Sequence, residues 1–421
     1  MERAVSEKII VKCMLIYDKI EIDDIKSLVN DCFPKIVQWR RHIHAHPELS
    51  FHEEKTMEFV SAVLTELGIV HKTNIGGYGI VGELGKGDLK MALRADMDAL
   101  PIEEKNEIGY KSQVENVMHA CGHDVHTASL LGTCLILKKL ENKLSGKIRL
   151  IFQPAEEKLP GGASLMIKDG VLTNPVPQFI LGQHVHPPLE AGKVGLKAGM
   201  YMASADEIYI KVLGKGGHGA LPQDCKDPVI TAANILMDLQ QIVSRHAPPT
   251  VPTVLSFGKI NTMGGATNVI PDEVRIEGTF RTMDEVWRDK ALNLIKNIAC
   301  ATAEAHGLIC EVDIPKGYPY LENDTDFTPQ VKRHMQEYLG ENNVVDLPIR
   351  MTAEDFSYYT HHVPACFYRL GTGNKEKGII SPVHTATFDI DEEALKVGSG
   401  LMAWLAISNY NSSDQDNQKD Q

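Results

Sequence analysis

The sequence predicts an α/β fold in which helices cover both faces of a mixed, largely parallel sheet, with a smaller α+β domain inserted into it. Three observations predict this fold. Up to about residue 200, short apolar runs typical of buried strands alternate with helical segments. Between residues 206 and 314 the order changes to β-α-β-β-α-β, which is the order of a ferredoxin-like domain. From residue 326 the α/β alternation resumes.

The elements of the first domain follow from hydrophobic periodicity. The pattern is clearest at 56–68, where apolar side chains recur three and four positions apart and Gly68 ends the segment. The other predicted helices are 27–51, 127–140 and 164–170, and the predicted strands are 90–94, 147–152 and 178–183. Because these strands are short, apolar and separated by helices, we expect them to pair in parallel.

The inserted domain begins where the strand pattern changes to alternating apolar and polar residues, as in 206–213. Its other predicted strands are 253–260, 273–281 and 309–314, and its predicted helices are 227–246 and 283–306. The predicted domains are therefore 1–200 with 315–410, which form one discontinuous α/β domain, and the insertion 201–314. We expect the polar tail 411–421 to be disordered.

Composition restricts the class of function. The 421 residues are 43% hydrophobic and 24% charged, which is typical of a soluble globular protein. A net charge of −13 argues against nucleic acid or an anionic membrane as a partner, because such partners repel an acidic protein. The eight cysteines are too sparse for a secreted disulfide framework, and no apolar run suits a secretory signal or a membrane span. We therefore expect a cytoplasmic protein.

Polar side chains follow three of the predicted strands. The pairs are Asp96 and Asp98 after strand 90–94, Glu156 and Glu157 after strand 147–152, and His184 and His186 after strand 178–183. Because sites in open parallel sheets lie beyond the carboxyl ends of the strands, we expect the three pairs to meet at one edge.

The segment His119-Ala-Cys-Gly-His-Asp-Val-His126 adds possible metal ligands between the first two pairs. Gly122 lets the chain bend so that Cys121 and His123 reach one ion, and thiolate and imidazole suit zinc and other borderline-soft metals. A lone cysteine is more often a small buried apolar residue, but the flanking histidines favour a metal site.

Glu156 and Glu157 lie between a buried strand and a Gly-Gly turn, where charged side chains without a functional role are disfavoured. A metal hydrolase needs one carboxylate as ligand and another as the base that takes a proton from water, and neighbouring residues can divide these two roles. If Asp98 is not itself a ligand, it is placed to orient a ligand histidine.

Three further residues are weaker candidates. His218 lies in a glycine-rich segment that is too flexible for core packing, and His384 follows a glycine-rich loop. Alone, His384 is more typical of a surface histidine. Arg281, on an alternating strand, suits either a substrate carboxylate or an exposed cross-strand ion pair.

Together these residues resemble the zinc-dependent amidohydrolase and aminoacylase family that includes hippurate hydrolases, N-acetyl-diaminopimelate deacetylases and plant auxin-conjugate hydrolases. The resemblance covers residues 30–405, and it is specific because many motifs occur in one order. The motifs are HAHPE (44–48), RADMDALP (94–101), HACGHDVH (119–126), QPAEE (153–157), GQHVHP (182–187), GKGGHGALP (214–222), ATNVIPDEV (266–274), GTFRT (278–282), AEDFSYY (353–359) and His384.

The resemblance implies a metallopeptidase-like catalytic domain that binds two divalent ions per chain, Zn²⁺ or Mn²⁺, with Co²⁺ or Ni²⁺ as possible substitutes in vitro. The implied ligands are Cys121, His123, Glu157, His184 and His384. Cys121 would bridge the two ions, where the wider carboxypeptidase superfamily has an aspartate.

The resemblance also implies roles in catalysis and substrate binding. Glu156 would be the general base and then the general acid, and His218, on the inserted lid domain, would stabilise the oxyanion. Asn268 and Arg281 would help to hold the substrate. Gln223 departs from the pattern, since the lid motif often has a histidine after its proline; this puts the substrate pocket in doubt and not the metal site.

The implied reaction is hydrolysis of N-acetyl, N-benzoyl or similar acyl groups from amino acids, with a small-molecule substrate and a possible homodimer through the lid domain. A di- or tripeptidase of the same chemistry is the alternative. A non-catalytic binding protein is disfavoured because Glu156 and all five ligands are present. A thiol enzyme with Cys121 as nucleophile would leave the glutamate pair and His184 without a role.

Overall fold

The computed structural model describes residues 20–410, so the predicted tail at 411–421 and the first part of the N-terminal segment lie outside the described residues. The chain divides into two compact units. The first comprises Met1–Gly199, Asn323–Leu347 and Tyr359–Gln421, and the second comprises Met200–Glu322 and Pro348–Tyr358. The segment Pro348–Tyr358 is one that the sequence did not associate with the insertion.

Both units contain helices and strands. The α-helices, in chain order, are α1 (Ile22–Ala45), α2 (Glu54–Glu66), α3 (His123–Lys139), α4 (Gly162–Lys168), α5 (Pro228–Leu239), α6 (Glu285–Ala305), α7 (Phe327–Leu339), α8 (Ser357–Thr360) and α9 (Ala394–Ile407). Short 3₁₀ turns occupy Glu141–Lys143, Pro222–Asp224 and Glu341–Asn343, and a π turn occupies Ile242–His246. The strands are β1 (Val70–Ile75), β2 (Gly79–Leu84), β3 (Leu89–Asp96), β4 (Lys147–Gln153), β5 (Phe179–Glu190), β6 (Val194–Leu196), β7 (Gly199–Met202), β8 (Asp206–Leu213), β9 (Gly217–His218), β10 (Thr253–Thr262), β11 (Val269–Ile270), β12 (Glu273–Thr282), β13 (Ile309–Asp313), β14 (Leu321–Asn323), β15 (Val344–Asp346) and β16 (Ala365–Gly373).

The first unit is built on a mixed sheet with the strand order β1-β2-β4-β3-β5-β16-β6-β15. Its central strands β4, β3, β5 and β16 are parallel to one another, whereas β1, β2 and β6 add antiparallel pairs. Strand β16 is buried at every position, and β3 is buried at all but one. Because successive side chains point to opposite faces, both faces of this sheet are covered, as the sequence predicted.

Two features of this sheet differ from the predicted one. The antiparallel hairpin β1–β2 extends one edge, and the sequence did not predict it. Strand β5 does not end at Gln183 but continues to Glu190, so that His184 lies within the strand. The last β5 residue that pairs with β3 is Gly182, and His184 therefore lies just beyond that pairing.

Helix α3 lies at the centre of the first unit. Its side chains are buried along nearly its whole length, and it packs against α1 and α9. The packing is so close that a Cβ at Gly132 would lie 2.4 Å from Ser399 Oγ and 2.7 Å from Ile36 Cδ1. Only glycine allows this approach, which fixes the position of α3 and of the residues at its N-terminus.

The second unit has the predicted β-α-β-β-α-β order. Its antiparallel sheet has the strand order β10-β12-β8-β13, and α5 and α6 pack against one another. Strand β8 buries alternate residues, as its sequence predicts. The predicted helix 227–246 was too long, because the α-helix ends at Leu239 and a π turn follows.

Helix starts in this unit have a local explanation. Asp227 accepts a hydrogen bond from the Val229 N–H at 2.8 Å, and Pro228 occupies the first helical position. Asp284 accepts one from the Trp287 N–H at 2.6 Å. Among residues 20–410, no helix combines the length and apolar character needed to cross a bilayer.

Candidate metal centre

The three polar pairs predicted from the sequence lie on or shortly after neighbouring strands of the first unit. Strands β4, β3 and β5 are adjacent and parallel, so their carboxyl ends meet at one edge. Asp96 is the last residue of β3, and the segment that carries Glu156 and Glu157 follows the end of β4. The edge of the sheet thus brings together residues that are distant in sequence.

Gly122 places Cys121 and His123 beside this edge. It precedes α3 with a φ of +83°, in the left-handed region that favours glycine. A Cβ at this position would lie 2.6 Å from Val185 Cγ2, so the close approach to β5 also requires glycine. His123 is therefore the first residue of α3, and Cys121 lies two positions before it.

Cys121 is the common member of two groups of possible ligands. Its Sγ lies 3.3 Å from His184 Nε2 and 3.3 Å from His384 Nε2. Glu157 Oε1 lies 3.1 Å from His384 Nε2 and 4.0 Å from His123 Nε2. In each group, Cys121–His123–His184 and Cys121–Glu157–His384, the potential ligand atoms lie within 4.8 Å of one another. The structure brings all five predicted ligands together.

His384 joins this cluster from a distant part of the chain. Its φ of +61° is uncommon for a residue other than glycine, and its N–H donates a hydrogen bond to the Ala120 carbonyl at 2.7 Å. This bond ties the C-terminal segment to the residue directly before Cys121. His384 is exposed, as the sequence suggested, yet this contact places its ring beside Cys121 and Glu157.

The hydrogen bonds of the histidines leave their Nε2 atoms facing the cluster. His123 Nδ1 lies 3.0 Å from Asp98 Oδ1, and His184 Nδ1 lies 2.8 Å from the Val185 carbonyl. A carbonyl oxygen can only accept, and the Asp98 carboxylate accepts as well, so each Nδ1 donates. His123 Nε2 is buried and has no hydrogen-bond partner among the described residues. Metal-bound histidines usually donate their other ring N–H in this way, and the structure places Asp98, the predicted orienting residue, beside His123 Nδ1.

The charges at the cluster favour a bound cation. Burial, together with Glu157 and Glu156, raises the pKa of the Cys121 thiol well above its usual value. Burial alone lowers the pKa of His123, but the nearby carboxylates of Asp96 and Asp98 raise it to about 10. Neighbouring carboxylates contribute to both shifts, and divalent cations would balance their charge while stabilising the thiolate. Thiolate, imidazole and carboxylate together fit zinc and related divalent ions.

His126 and His119, which flank the cysteine in the sequence, are not part of the cluster. His126 Nδ1 lies 2.5 Å from Asp96 Oδ1, and its Nε2 accepts the Val185 N–H at 2.9 Å, so both ring nitrogens are occupied. Asp96 also pairs with Arg94 at 2.5 Å. His119 is buried, and burial lowers its pKa to about 4. Of the three flanking histidines that favoured a metal site, only His123 faces the cluster.

Two buried charged residues behind the site were missed by the sequence reasoning. Glu53 is fully buried, and burial together with Asp98 raises its pKa to about 7. Arg40 is also fully buried and pairs with Asp124, the residue that follows His123. Their partners lie far along the chain, so no local pattern marks either residue.

The remaining predicted residues lie in the second unit. His218 is exposed and pairs with Val269 in the β9–β11 ladder, and the Gly219 N–H donates to the Asn268 carbonyl at 2.7 Å. His218 and Asn268 therefore belong to neighbouring segments. Arg281 on β12 is partly buried, and burial lowers its pKa. Its Nη1 is buried without a hydrogen-bond partner in the described part of the chain.

Comparisons with known proteins agree with this chemistry. A model of peptidase family M20/M25/M40 matches residues 92–407. Over 313 residues the chain is 42% identical to an N-acyl-L-amino acid amidohydrolase of Geobacillus stearothermophilus, covering 73% of this chain and 83% of the relative. It is 38% identical over 391 residues to thermostable carboxypeptidase 2 of Saccharolobus solfataricus, covering 92% and 98%. The structure is similar to that of the Bacillus subtilis YXEP protein, described as a dinuclear metal-binding peptidase of the M20 family, with a TM-score of 0.76, 33% identity and coverage of 90% and 98%.

Proposed function

The chain belongs to peptidase family M20/M25/M40, and we propose that it is a metal-dependent hydrolase that cleaves the amide bond of N-acyl amino acids. The products are a carboxylic acid and a free amino acid. The observation that carries the proposal is that two groups of ligand atoms share Cys121 and that Glu156 lies beside them. The amidohydrolase relative supports the choice of substrate class.

The ligands in this proposal are those of the two groups that share Cys121. His123 and His184 would complete one ion site, Glu157 and His384 the other, and Cys121 would bridge them. Divalent ions held there supply Lewis-acid activation of water and of the substrate carbonyl. Asp98 holds His123 and also accepts the Glu157 N–H at 3.0 Å, so one carboxylate orients a ligand for each ion.

Glu156 is the proposed general base. It is only 6% exposed, and its carboxylate lies within 4.8 Å of the ligand atoms of His123 and Glu157. From this position it can take a proton from the attacking water and give it to the departing amine. Proton transfer by a positioned side chain contributes about 10²–10⁴-fold to a rate.

Residues of the second unit are proposed to act on the substrate. His218 would stabilise the oxyanion of the tetrahedral intermediate, and its exposure leaves the ring available for this role. Asn268 would help to hold the substrate. Arg281 would bind the carboxylate of the amino acid, since its Nη1 atom is buried without a partner among the described residues.

Two alternatives differ in their substrate or their chemistry. A peptidase would use the same metal centre, and the carboxypeptidase relative favours it as the second candidate. A thiol enzyme would use Cys121 as nucleophile. Such a cysteine needs a lowered pKa, whereas burial and the neighbouring glutamates raise the pKa of this one.

The testing experiment is a substrate panel with metal removal. Purified protein is assayed on N-acetyl amino acids, N-benzoylglycine and simple dipeptides, before chelation, after chelation and after the return of zinc, manganese or cobalt. We expect hydrolysis of acyl amino acids that disappears with the chelator and returns with metal. Glu156→Gln should lower kcat by about 10²–10⁴-fold and retain the metal, while the exposed Glu376→Gln serves as the matched control.

Other outcomes of this experiment would favour one of the alternative functions. Turnover of dipeptides alone would favour the peptidase. Turnover that persists in the presence of the chelator would contradict the metal mechanism and favour Cys121 as the nucleophile. An unchanged kcat in Glu156→Gln would remove the general-base role from that residue.

A further inference from the structure

Glu53 occupies an unusual position at the start of α2. It is the residue before the helix, yet its side chain makes no hydrogen bond to the first turn of α2. Glu48 does this instead, since its carboxylate accepts the N–H groups of Lys55 at 3.2 Å and Thr56 at 2.8 Å. The Glu53 side chain is therefore free to act elsewhere.

Its carboxylate reaches the segment that carries Glu156. Glu53 Oε1 accepts the N–H of Ala155 at 2.8 Å and that of Phe51 at 3.0 Å. Both Glu53 and Ala155 are completely buried. Glu53 Oε2 is buried as well and has no hydrogen-bond partner among the described residues. Burying a carboxylate is costly, and the two backbone N–H groups that Oε1 accepts, one of them directly before Glu156, offset part of this cost.

Ala155 needs such a restraint because its backbone is in an unfavourable conformation. Its φ is +50°, in the left-handed region that residues with a Cβ rarely adopt. On its other side, the Ala155 carbonyl accepts the Gly162 N–H at 2.9 Å, which closes the loop between β4 and α4. Residues in such conformations persist only where their surroundings hold them.

We propose that Glu53 is a positioning residue for Glu156: its carboxylate holds Ala155 in the left-handed conformation and so fixes the direction in which Glu156 leaves the end of β4. The inference rests on the proposed function, in which Glu156 moves the proton. Asp98 holds Glu157 by the equivalent bond, from the Glu157 N–H at 3.0 Å. Two carboxylates thus fix the backbone on either side of Glu156, one before it and one after it.

Two substitutions separate the effect of side-chain length from the effect of charge at Glu53. Glu53→Gln removes the charge but keeps an oxygen at the same distance, so the Ala155 N–H retains its acceptor. Glu53→Asp keeps the charge and suits the position before a helix, but its carboxylate is one methylene too short for the Ala155 N–H. The exposed neighbour Glu54, changed to Gln and to Asp, is the matched control.

We expect Glu53→Gln to retain most of kcat and Glu53→Asp to lose about 10–100-fold, the range for groups that orient active-site residues. KM, metal content per chain and the unfolding temperature should change little in either variant. In the Glu53→Asp background, Ala155→Gly should restore part of kcat, because glycine adopts the left-handed conformation without penalty. If the role of Glu53 were purely structural, Glu53→Asp would instead lower metal content and unfolding temperature together with kcat.

Hydrogen exchange provides a readout without turnover. Glu53→Asp should speed amide exchange in peptides covering residues 154–162, and Glu53→Gln should not. If the wild type hydrolyses no member of the substrate panel, the proposed function fails while the exchange data still test the restraint on Ala155. The inference is overturned if exchange is the same in all variants, if Glu53→Asp is the more active of the two, or if loss of metal accounts for the loss of kcat.

Discussion

His123 and Asp124 are neighbours at the start of α3, and both are fully buried, yet they belong to two different polar clusters. The ligand cluster consists of Cys121, His123, Glu157, His184 and His384. The ion-paired cluster consists of Arg40, His44, Glu104 and Asp124. In the ligand cluster, nearby carboxylates help to raise the pKa values of Cys121 and His123, and His123 Nε2 has no hydrogen-bond partner among the described residues.

In the ion-paired cluster each charged group faces an opposite charge. Arg40 Nε lies 2.8 Å from Asp124 Oδ2, and Arg40 Nη2 lies 2.9 Å from Asp389 Oδ1. His44 places one ring nitrogen 2.9 Å from Asp124 and the other 3.3 Å from Glu104. Arg40 and His44 accordingly hold the pKa of Asp124 far below its usual value, despite its burial.

The comparison shows how buried polar residues of similar kind serve different purposes. In the ion-paired cluster, opposite charges in contact fix the position of α3 and of the segment around Asp389, although Arg40 Nη1 and Asp124 Oδ1 have no hydrogen-bond partner among the described residues. In each group of the ligand cluster, the potential ligand atoms of thiol, imidazole or carboxylate groups lie within 4.8 Å of one another, an arrangement that suits a cation. Substitutions in the ligand cluster should therefore lower metal content and activity, whereas substitutions in the ion-paired cluster should lower stability.

The largest expected effect comes from Cys121→Ala in the ligand cluster. This change removes the one ligand common to both groups, so we expect metal content per chain to fall and kcat/KM to drop by at least about 10³-fold, since metal activation contributes several kcal/mol. Metal analysis and kinetics measure the two effects. Cys134→Ala, a buried cysteine on α3, is the control and should keep both metal and activity. Equal losses in both variants would mean that packing, and not ligation, explains the result.

The sequence predicted the ligand cluster better than the ion-paired cluster for a physical reason. Cys121 precedes a helix, Glu157 follows a strand and His184 lies at the predicted end of another, so the predicted elements already place them near one edge. The pairing of Arg40 with Asp124 and Asp389 joins three distant parts of the chain and depends on how α1 packs, which no local periodicity records.

The same reason explains what else was missed. Glu53 contacts Ala155 across 102 positions, and its neighbours in the sequence are ordinary charged residues of a helix start. The hairpin β1–β2 was missed because its first strand buries no residue fully and so has no apolar run. The continuation of β5 beyond His184 was missed because prolines and charges follow it.

The next largest effect is expected from Arg40→Met in the ion-paired cluster. Removal of Arg40 leaves the buried Asp124 carboxylate with His44 as its remaining partner and without its guanidinium, so we expect the free energy of unfolding to fall by up to about 3–5 kcal/mol. Metal content per folded chain should remain nearly unchanged, in contrast to Cys121→Ala. Denaturant unfolding and metal analysis test this. Arg41→Met, whose ion pair with Glu392 lies at the surface, should cost at most about 1 kcal/mol. If the Arg40→Met protein were folded and stable but lacked metal, the assignment of stability to one cluster and metal binding to the other would be wrong.

The smallest effect is a pH dependence confined to the ion-paired cluster, tested with His44→Asn. Burial and Arg40 lower the pKa of His44, but Asp124 and Glu104 more than offset them, so its pKa in the folded protein is above its usual value of about 6.5. The protonated ring therefore adds stability below pH 6.5, and this contribution is lost as the pH rises through the folded-state pKa. Unfolding measured between pH 5.5 and 9 should show that the stability advantage of the wild type over His44→Asn shrinks with rising pH. The exposed His46→Asn control should show no such trend. An advantage that grows with pH would mean that the neutral ring is the stabilising form and that His44 does not belong to a cluster held by opposite charges.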